Sequence, residues 1–296
     1  MKKRVLATIL ASVLTLSIFA GCGSSNETNE NTQNSQNAAN TESTEGTERA
    51  EETNGIIKVG ASATPHAEIL EVAKPILAEQ GYELEITVFD DYIIPNEVVE
   101  SNEMDANYFQ HVLYLTNFNA ERGTHLVNAG GIHYEPLGIY PGKKAALTEL
   151  AAGDEIAVPN DATNEARALM LLEANGIIKL KEGAGLTATK NDIEEYLIDV
   201  EIRELAAEQI ARVKEDFAVI VLNGNYALQA GFSADEDALA CEDANSEAIQ
   251  NYVNVIAVKE GNENNEAIKA LIEVLKSDEV KEYINSTYKG SVISFE

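Results

Sequence analysis

Apolar and polar residues alternate in blocks along most of the chain, and the blocks predict strands that alternate with helices. Residues 56–61 (IIKVGA) and 83–89 (ELEITVF) are predicted strands. Between them, residues 62–80 space their apolar side chains for one face of a helix, which Pro75 is expected to bend or shorten.

The same alternation continues from residue 125 to the end of the chain. Further strands are predicted at residues 125–131, 135–141, 154–159 and 252–259. Further helices are predicted at residues 160–177, 265–277 and 278–289. In the first of these helices Asp161 or Thr163 is the expected N-cap, and Gly176 the expected stop. Strands alternating with helices favour an α/β fold with parallel sheets.

The first 54 residues have a different pattern. Lys2, Lys3 and Arg4 precede an apolar run of about 17 residues that ends before Cys22, which is typical of a secretory signal peptide. A membrane-spanning helix is the alternative, but the run is at the short limit for one. Residues 23–54 contain no aromatic or branched apolar residue, so we expect a flexible tether.

Charge and cysteine content exclude several classes of protein. The formal net charge of −29 argues against a nucleic-acid partner. Cys22 and Cys241 are the two cysteines, and they provide neither a disulfide framework nor a CxxC metal site. Cys241 is expected to be a small core residue. No catalytic or cofactor-binding motif occurs, so we expect a binding protein without a cofactor.

Residues 89–115 carry more aromatic and polar side chains than a core requires. The side chains concerned are Asp90, Asp91, Tyr92, Asn107, Phe109, His111 and Tyr114. Flat apolar faces with polar rims predict the wall of a pocket for a small amphipathic molecule. A strand, a loop and a packed helix form the simpler interpretation.

Arg167 lies about one turn into the predicted helix at residues 160–177. A helix N-terminus favours anions, and a guanidinium adds a two-pronged donor that matches a carboxylate. These features predict a carboxylate site. The alternative is a surface ion pair with Glu165 or Asp161, which contributes little to stability.

Five motifs in order resemble the NlpA/MetQ family, the methionine-binding lipoproteins of bacterial ABC importers. They are VGAS.TPHAEIL, FDDY…PN…DANYFQH..YL, IAVPNDATNEARALMLL, VLNGNYALQAG and YVNVIAVK. Together they extend from about Ile57 to the C-terminus. Ala20-Gly21-Cys22 resembles a lipobox, in which Cys22 is lipidated, although Phe19 replaces the usual leucine.

The resemblance implies a two-lobe periplasmic-binding-protein fold of the type II-like class, with the ligand cleft between the lobes. Lobe 1 would comprise residues 56–140 and 251–296, and lobe 2 residues 141–250, after a signal peptide (1–22) and a tether (23–54). The protein would be a monomer, lipid-anchored on the extracytoplasmic face of the cell membrane. It would deliver methionine, or a related amino acid or dipeptide, to an importer's permease and ATPase.

The same resemblance implies a set of ligand-binding residues. They are Tyr92, Phe109, His111, Tyr114, Asn164, Arg167, Asn223 and Asn254. The aromatic members would contact the thioether, because sulfur makes favourable contacts with aromatic rings. The asparagines could satisfy either end of a zwitterion, since an amide both donates and accepts. His66 is a further candidate for contact with the ligand, and simple exposure is its alternative.

A metal-ion-binding lipoprotein is the alternative function. Four histidines, with nearby acidic residues, could supply Zn²⁺ ligands. They are His66, His111, His125 and His133. No pair of them has a tight ligand spacing, and Arg167 near the site would repel a cation.

Overall fold

The described part of the chain, residues 54–243 and 247–295 of a computed structural model, contains two mixed sheets, a small antiparallel sheet of β7 and β8, and their helices. The strands are β1 (Gly55–Ala61), β2 (Tyr82–Val88), β3 (Ala106–His111), β4 (Leu126–Tyr134), β5 (Gly138–Pro141), β6 (Glu155–Pro159), β7 (Ile178–Leu180), β8 (Ile193–Tyr196), β9 (Glu201–Leu205), β10 (Val219–Leu222), β11 (Ala240–Cys241), β12 (Val253–Lys259) and β13 (Ile293–Ser294). The α-helices are α1 (Glu68–Glu79), α2 (Ile94–Glu100), α3 (Val112–Arg122), α4 (Ala162–Ala174), α5 (Ala207–Ile210), α6 (Gly224–Gln229), α7 (Glu266–Leu275) and α8 (Asp278–Tyr288). The predicted signal peptide, Cys22 and all of the predicted tether except Asn54 lie outside the described residues.

The first sheet has six strands in the order β13-β4-β12-β3-β1-β2. β1 is parallel to β2 and β3, whereas β12 is antiparallel to β3 and β4. Its core includes Ile57 and Tyr108 from the sheet, Leu70 from α1 and Leu271 from α7, all essentially inaccessible to solvent. Helices α1 and α7 thus bury their apolar faces against this sheet.

The second sheet has five strands in the order β11-β5-β10-β6-β9. β6 is parallel to β9 and β10, and β5 is antiparallel to β10 and β11. Leu169 and Leu172 of α4 pack with Ile156 and Val158 of β6 in the core of this lobe. The prediction of parallel sheets is therefore wrong for part of each sheet, because several strands run antiparallel to their neighbours.

The two sheets with their helices form the two lobes of the fold, and the chain crosses between them twice. It leaves the first sheet after Tyr134 and enters the second at Gly138; it leaves the second sheet after Cys241 and returns at Val253. In each sheet a parallel strand, β1 or β6, has parallel neighbours on both sides. The carboxyl end of such a strand is a topological switch point, where α/β folds bind ligands.

Three local predictions are corrected by the structure. Pro75 does not shorten α1, which continues to Glu79; Pro75 and Glu71 are both exposed, so water can reach the Glu71 carbonyl that lacks a backbone N–H partner. The polar segment at residues 106–111 is a fully buried strand, since Asn107 and Gln110 form hydrogen bonds with Asn96. Cys241 lies partly exposed in the short strand β11 and is not a core residue.

The predicted ends of α4 are confirmed. Asp161 is the N-cap, and its Oδ1 accepts a hydrogen bond from the backbone N–H of Asn164 at 3.0 Å. The helix ends at Ala174, and Gly176 adopts a left-handed conformation (φ 71°) that glycine tolerates without strain. This geometry places the first turn of α4 at the switch point of the second sheet.

Candidate functional site

A cavity of about 320 Å³ lies among residues from both lobes. Its lining residues are Tyr92, Phe109, Gln110, His111, Tyr114, Glu135, Asn164, Arg167, Asn223, Gly224, Asn225 and Asn254. All eight residues that the sequence analysis proposed for the ligand are in this set. Their convergence from separate segments agrees with the predicted pocket, and their roles toward a ligand stay predictions.

An aromatic wall closes one side of the cavity. The ring centroid of Tyr92 is 5.6 Å from that of Phe109 and 5.7 Å from that of Tyr114. The Tyr114 hydroxyl donates a hydrogen bond to the backbone carbonyl of Tyr92 at 3.0 Å, which fixes the two segments together. Phe109 and Tyr114 are buried, so the wall is preorganised for an apolar group.

His111 ends β3 and is the N-cap of α3. Its Nδ1 accepts a hydrogen bond from the backbone N–H of Tyr114 at 3.0 Å, so the proton is assigned to Nε2. Nε2 then donates to Oδ1 of Asn164 in the other lobe at 3.1 Å. Burial, together with the nearby charge of Arg167, lowers the pKa of His111 to about 3, so the ring is neutral at pH 7.

Two asparagines of the second lobe are linked to this histidine. Asn223 follows β10 and donates from Nδ2 to Oδ1 of Asn164 at 2.8 Å. Asn164 also donates from its own Nδ2 to the Asp161 carboxylate at 2.9 Å, so its amide is fully used. The Oδ1 of Asn223, by contrast, is buried and accepts no hydrogen bond from the described residues. It is therefore an acceptor available to a ligand.

The guanidinium of Arg167 is buried and already engaged on one edge. Nε and Nη2 donate to the two carboxylate oxygens of Glu242 at 2.7 and 2.6 Å, and Nη2 also donates to the backbone carbonyl of Glu135 at 2.8 Å. The ring of Tyr252 lies 4.1 Å from the guanidinium carbon. The alternative of a surface ion pair with Glu165 or Asp161 is thus wrong, because Arg167 points inward from α4.

These contacts leave one group of Arg167 for a ligand. Within the described part of the chain, Nη1 makes no hydrogen bond, and Arg167 lines the cavity. Burial disfavours the guanidinium charge, but the Glu242 carboxylate outweighs this effect and raises the pKa of Arg167. Arg167 is therefore charged at all ordinary pH values.

Glu135 is a lining residue that the sequence analysis missed. It directly follows β4, and its carboxylate is 2.7 Å from Nε2 of His133 and 3.4 Å from Nε2 of His66. Burial raises the pKa of Glu135, and the neighbouring His66 and Arg167 oppose that effect. Glu135 lies within a segment predicted as a strand. Nothing in the sequence pattern indicated that its side chain would line the cavity.

The three groups His66, His133 and Glu135 test the metal-binding alternative. Their donor atoms lie within 4.8 Å of one another. The 2.7 Å between Glu135 Oε1 and His133 Nε2 is a hydrogen-bond distance, whereas two ligands of a tetrahedral zinc ion are about 3.3 Å apart. His111 is bonded to Asn164, and His125 lies exposed beside Glu100. The four histidines therefore do not converge on one site: His66 and His133 lie beside Glu135, and His111 and His125 lie elsewhere.

His66 is fully buried and does not line the cavity, so its predicted exposure is wrong. It contacts the site through Asn254, whose Oδ1 is 3.0 Å from His66 Nε2. Asn254 is the second residue of β12 and does line the cavity.

Polar contacts also join the two lobes at the edge of the cavity. The Tyr92 hydroxyl donates to Oδ1 of Asn225 at 2.5 Å, and the Tyr226 hydroxyl donates to the backbone carbonyl of Asp90 at 2.8 Å. Gly224 brings α6 against Glu135, because a Cβ at this position would lie 2.6 Å from the Glu135 Cβ. Among the described residues, no helix has the length and apolar character needed to cross a membrane.

Comparison with known proteins yields a family and several relatives. The profile of the family described as NlpA lipoprotein matches residues 57–295. The crystal structure of a lipoprotein from Ruminococcus gnavus is 68% identical, with a TM-score of 0.80, over 81% of this chain and 99% of that one. A nutrient-binding protein from Burkholderia cenocepacia, bound to methionine, is 40% identical, with a TM-score of 0.77, over 81% of this chain and 100% of that one. The methionine-binding lipoprotein MetQ of Bacillus subtilis is 36% identical over 99% of this chain and 98% of its own length.

Proposed function

The chain belongs to the NlpA lipoprotein family, and we propose that it is the substrate-binding protein of an ABC importer with methionine as its ligand. One observation carries the proposal: a single cavity of about 320 Å³ combines an aromatic wall with two side chains of opposite charge, Arg167 and Glu135. Methionine presents the matching groups, a thioether, a carboxylate and an ammonium.

Arg167 binds the ligand carboxylate in this proposal. Nε and Nη2 are engaged by Glu242 and Glu135, so Nη1 is the nitrogen that can donate to the ligand. Since both oxygens of Glu242 are bonded to the opposite edge, the guanidinium is held in one orientation before the ligand arrives. A charged donor in a buried site forms a strong hydrogen bond to a carboxylate.

The ammonium end lies between Glu135 and Asn223. Glu135 supplies a negative charge, and Oδ1 of Asn223 supplies a buried acceptor without a partner among the described residues. A buried acceptor left unpaired costs about 1–3 kcal/mol, a penalty that an ammonium donor would remove. Asn254 also lines this cavity, and its Oδ1 is held by His66.

The side chain of the ligand lies against Tyr92, Phe109 and Tyr114, with the neutral ring of His111 beside them. Contacts of a thioether with aromatic rings contribute about 0.3–1.5 kcal/mol each. This modest term favours methionine over an aliphatic side chain of the same length, while a charged side chain would be excluded by the apolar wall.

Membrane attachment and partners extend the proposal to the undescribed N-terminus. Cys22 is lipidated after signal cleavage, and the tether at residues 23–54 lets a monomeric domain move over the extracytoplasmic face of the membrane. The permease and its ATPase then receive the ligand. The lobe boundaries belong to this proposal as well, with the first moved from residue 140 to residue 137, because Gly138 begins a strand of the second sheet, and the second kept at residue 250.

Native mass spectrometry tests the ligand. Protein purified without denaturation should carry an added mass equal to that of methionine, and the released compound should match methionine in fragmentation. A methionine dipeptide would give a larger added mass and would correct the ligand class. A released compound without a thioether would contradict the proposal.

A further inference from the structure

A chain of buried polar side chains lies behind the proposed ammonium site. We call Tyr108, His133, Glu135, His66 and Asn254 the histidine–glutamate network. Tyr108, His66 and His133 are fully buried, and only Glu135 and Asn254 line the cavity. Tyr108, His66 and His133 therefore act on a ligand only through Glu135 and Asn254.

The donors and acceptors of the network allow one consistent arrangement of protons. The Tyr108 hydroxyl is hydrogen-bonded to Nδ1 of His133, and His133 Nε2 is 2.7 Å from Glu135 Oε1. If tyrosine donates, His133 carries its proton on Nε2 and donates to Glu135 Oε1, which therefore carries no proton itself. In the reverse order the tyrosine proton would have no acceptor among the described residues. The first arrangement is therefore assigned.

His66 fits the same arrangement. Its Nε2 is 3.0 Å from Oδ1 of Asn254, an acceptor, so the proton lies on Nε2 and also points toward Glu135 Oε1 at 3.4 Å. Its Nδ1 is buried with no partner in the described chain. Burial lowers the pKa of His66 to about 4 and that of His133 to about 3, so both rings are neutral at pH 7.

The second carboxylate oxygen of Glu135 faces α6. It lies 2.8 Å from the position that a Cβ of Gly224 would occupy, and the backbone N–H of Asn225 donates to the same carboxylate. Histidine donors thus hold one oxygen, while the other is directed to the part of the cavity lined by Gly224 and Asn225.

We infer that the histidine–glutamate network is a positioning device that keeps Glu135 ionised and directed at the ammonium group of the ligand. This inference rests on the proposed function. It assigns a role in specificity to Tyr108, His133 and His66, which do not touch the ligand: they make the protein select compounds with a free amino group.

A purely structural role is the competing explanation, and the energetics disfavour it. Buried polar networks are often no more stabilising than apolar side chains of similar shape. Phenylalanine at both the Tyr108 and His133 positions would supply similar rings without buried polar atoms. A carboxylate that must stay charged next to a ligand, however, requires donors on its inner side.

The test compares two ligands that differ in one group. Methionine is titrated against its des-amino analogue, methylthiobutanoate, which keeps the thioether and the carboxylate. The ratio of their dissociation constants measures recognition of the amino group alone. The variants are His133→Phe, which removes the donor to Glu135, and Tyr108→Phe, which removes the proton that fixes the tautomer and keeps the ring. Glu135→Gln sets the limit in which the charge is absent.

In His133→Phe, we expect methionine affinity to fall about tenfold or more, as for other buried charge-assisted bonds. The affinity for the des-amino analogue should stay within about threefold of wild type, within the usual scatter of mutational effects. Tyr108→Phe should act in the same direction and more weakly. Ile132→Val, on the same strand and with no polar contact, is the matched control and should leave the ratio unchanged.

The pH dependence of binding gives a second readout. The ionisable groups that face Glu135 are His66, His133, Arg167, Tyr92, Tyr108 and Tyr140. Loss of the His133 donor should raise the pKa of Glu135 further. As the pH is lowered, methionine binding by His133→Phe should therefore begin to weaken at a higher pH than binding by wild type. If His133→Phe weakens the binding of methionine and of the des-amino analogue equally, and its pH profile superimposes on that of wild type, the inference is overturned. Failure of wild type to bind methionine would instead overturn the proposed function.

Discussion

Arg167, which is buried, and Glu242, which is partly buried, form a two-point ion pair across 75 positions of sequence, with N···O distances of 2.7 and 2.6 Å. Glu242 also accepts hydrogen bonds from the Tyr134 hydroxyl at 2.8 Å and the Leu137 backbone at 2.9 Å. The carboxylate thus ties α4 to the segment where the chain crosses between the lobes. Arg167 therefore serves the fold and the proposed ligand site together.

Replacing Arg167 with alanine should affect binding and stability separately. Affinity for methionine should fall by about 2–4 kcal/mol, because the ligand carboxylate loses its partner. The free energy of unfolding should fall by roughly 1–3 kcal/mol, because the partly buried Glu242 carboxylate loses its charged partner and keeps only its neutral donors. Calorimetry and denaturant titration measure the two quantities.

The double variant Arg167→Ala/Glu242→Ala separates these effects. It should recover part of the lost stability, since no unpaired charge remains, and none of the lost binding. Arg167→Lys should restore little affinity, since a lysine ammonium cannot bind Glu242 at two points and still reach the ligand carboxylate in a fixed orientation. If Arg167→Ala and Asn254→Ala both bind methionine like wild type, the assignment of this cavity as the ligand site is wrong.

The hydroxyl of Tyr92 should control how long the ligand stays bound. It donates to Asn225 in the other lobe at 2.5 Å. Tyr92→Phe keeps the aromatic wall and removes this bond, so affinity should fall by about 0.5–1.5 kcal/mol, mainly through faster dissociation. Stopped-flow measurement of ligand release tests this expectation.

Tyr226→Phe is the matched variant. Its hydroxyl also joins the lobes, through the backbone carbonyl of Asp90 at 2.8 Å, and Tyr226 does not line the cavity. Release should accelerate here too, with the preference for methionine over norleucine unchanged. Unaltered release from both variants would show that these hydroxyls do not hold the lobes together.

Acid should destabilise the ligand-free protein through three buried histidines. Burial lowers the pKa of His66 to about 4 and those of His111 and His133 to about 3. Below about pH 6.5 the unfolded chain binds protons at these residues and the folded protein does not, so stability falls as the pH falls. Three such groups give a slope of at most about 4 kcal/mol per pH unit between roughly pH 6 and pH 4.

Glu135 acts in the opposite direction, since its raised pKa lets the folded state bind a proton before the unfolded state does. The net slope should therefore be smaller than three histidines alone would give. Thermal melts across this pH range measure it, with His111→Gln expected to reduce the slope and His125→Gln, at an exposed position, to leave it unchanged. A melting temperature that does not change from pH 7 to pH 4 would contradict the assignment of three neutral histidines.

Membrane attachment should depend on Cys22. Cys22→Ser should move the protein from the membrane fraction to the soluble fraction, because a lipid chain can no longer be added. A chain lacking residues 1–54 should fold and bind methionine, since all lining residues lie beyond them. Equal partitioning of wild type and Cys22→Ser would exclude the lipid anchor at this position.

The sequence predicts the parts of this site that depend on local pattern. The aromatic segment and the N-cap at Asp161 are local features, and the structure places Tyr92, Phe109 and Arg167 around one cavity. Contacts between residues that are far apart in the sequence could not be predicted in this way. Glu242 is one of many acidic residues, and only the crossing between the lobes brings it to Arg167.

Buried polar side chains were the second feature that the sequence alone could not predict. Asn107 was interpreted as part of a pocket wall, whereas Asn107 and Gln110 are hydrogen-bonded to each other and to Asn96, and of the two only Gln110 lines the cavity. Their strand is fully buried because tertiary hydrogen bonds replace water. Pattern alone could not distinguish these residues from exposed ones, and the same holds for Glu135.

Isothermal titration calorimetry on refolded protein tests whether methionine is the ligand. The protein is first unfolded, dialysed and refolded to remove any bound ligand, and L-methionine is then titrated beside alanine, glutamate, lysine and Zn²⁺. We predict saturable binding of one L-methionine per chain, unchanged by a chelator, and no comparable heat from the other amino acids or the metal. At a thousand times the dissociation constant, methionine should add about 4 kcal/mol of stability. Refolded protein that ignores L-methionine, D-methionine and methionine dipeptides but melts at a higher temperature with zinc would contradict the account.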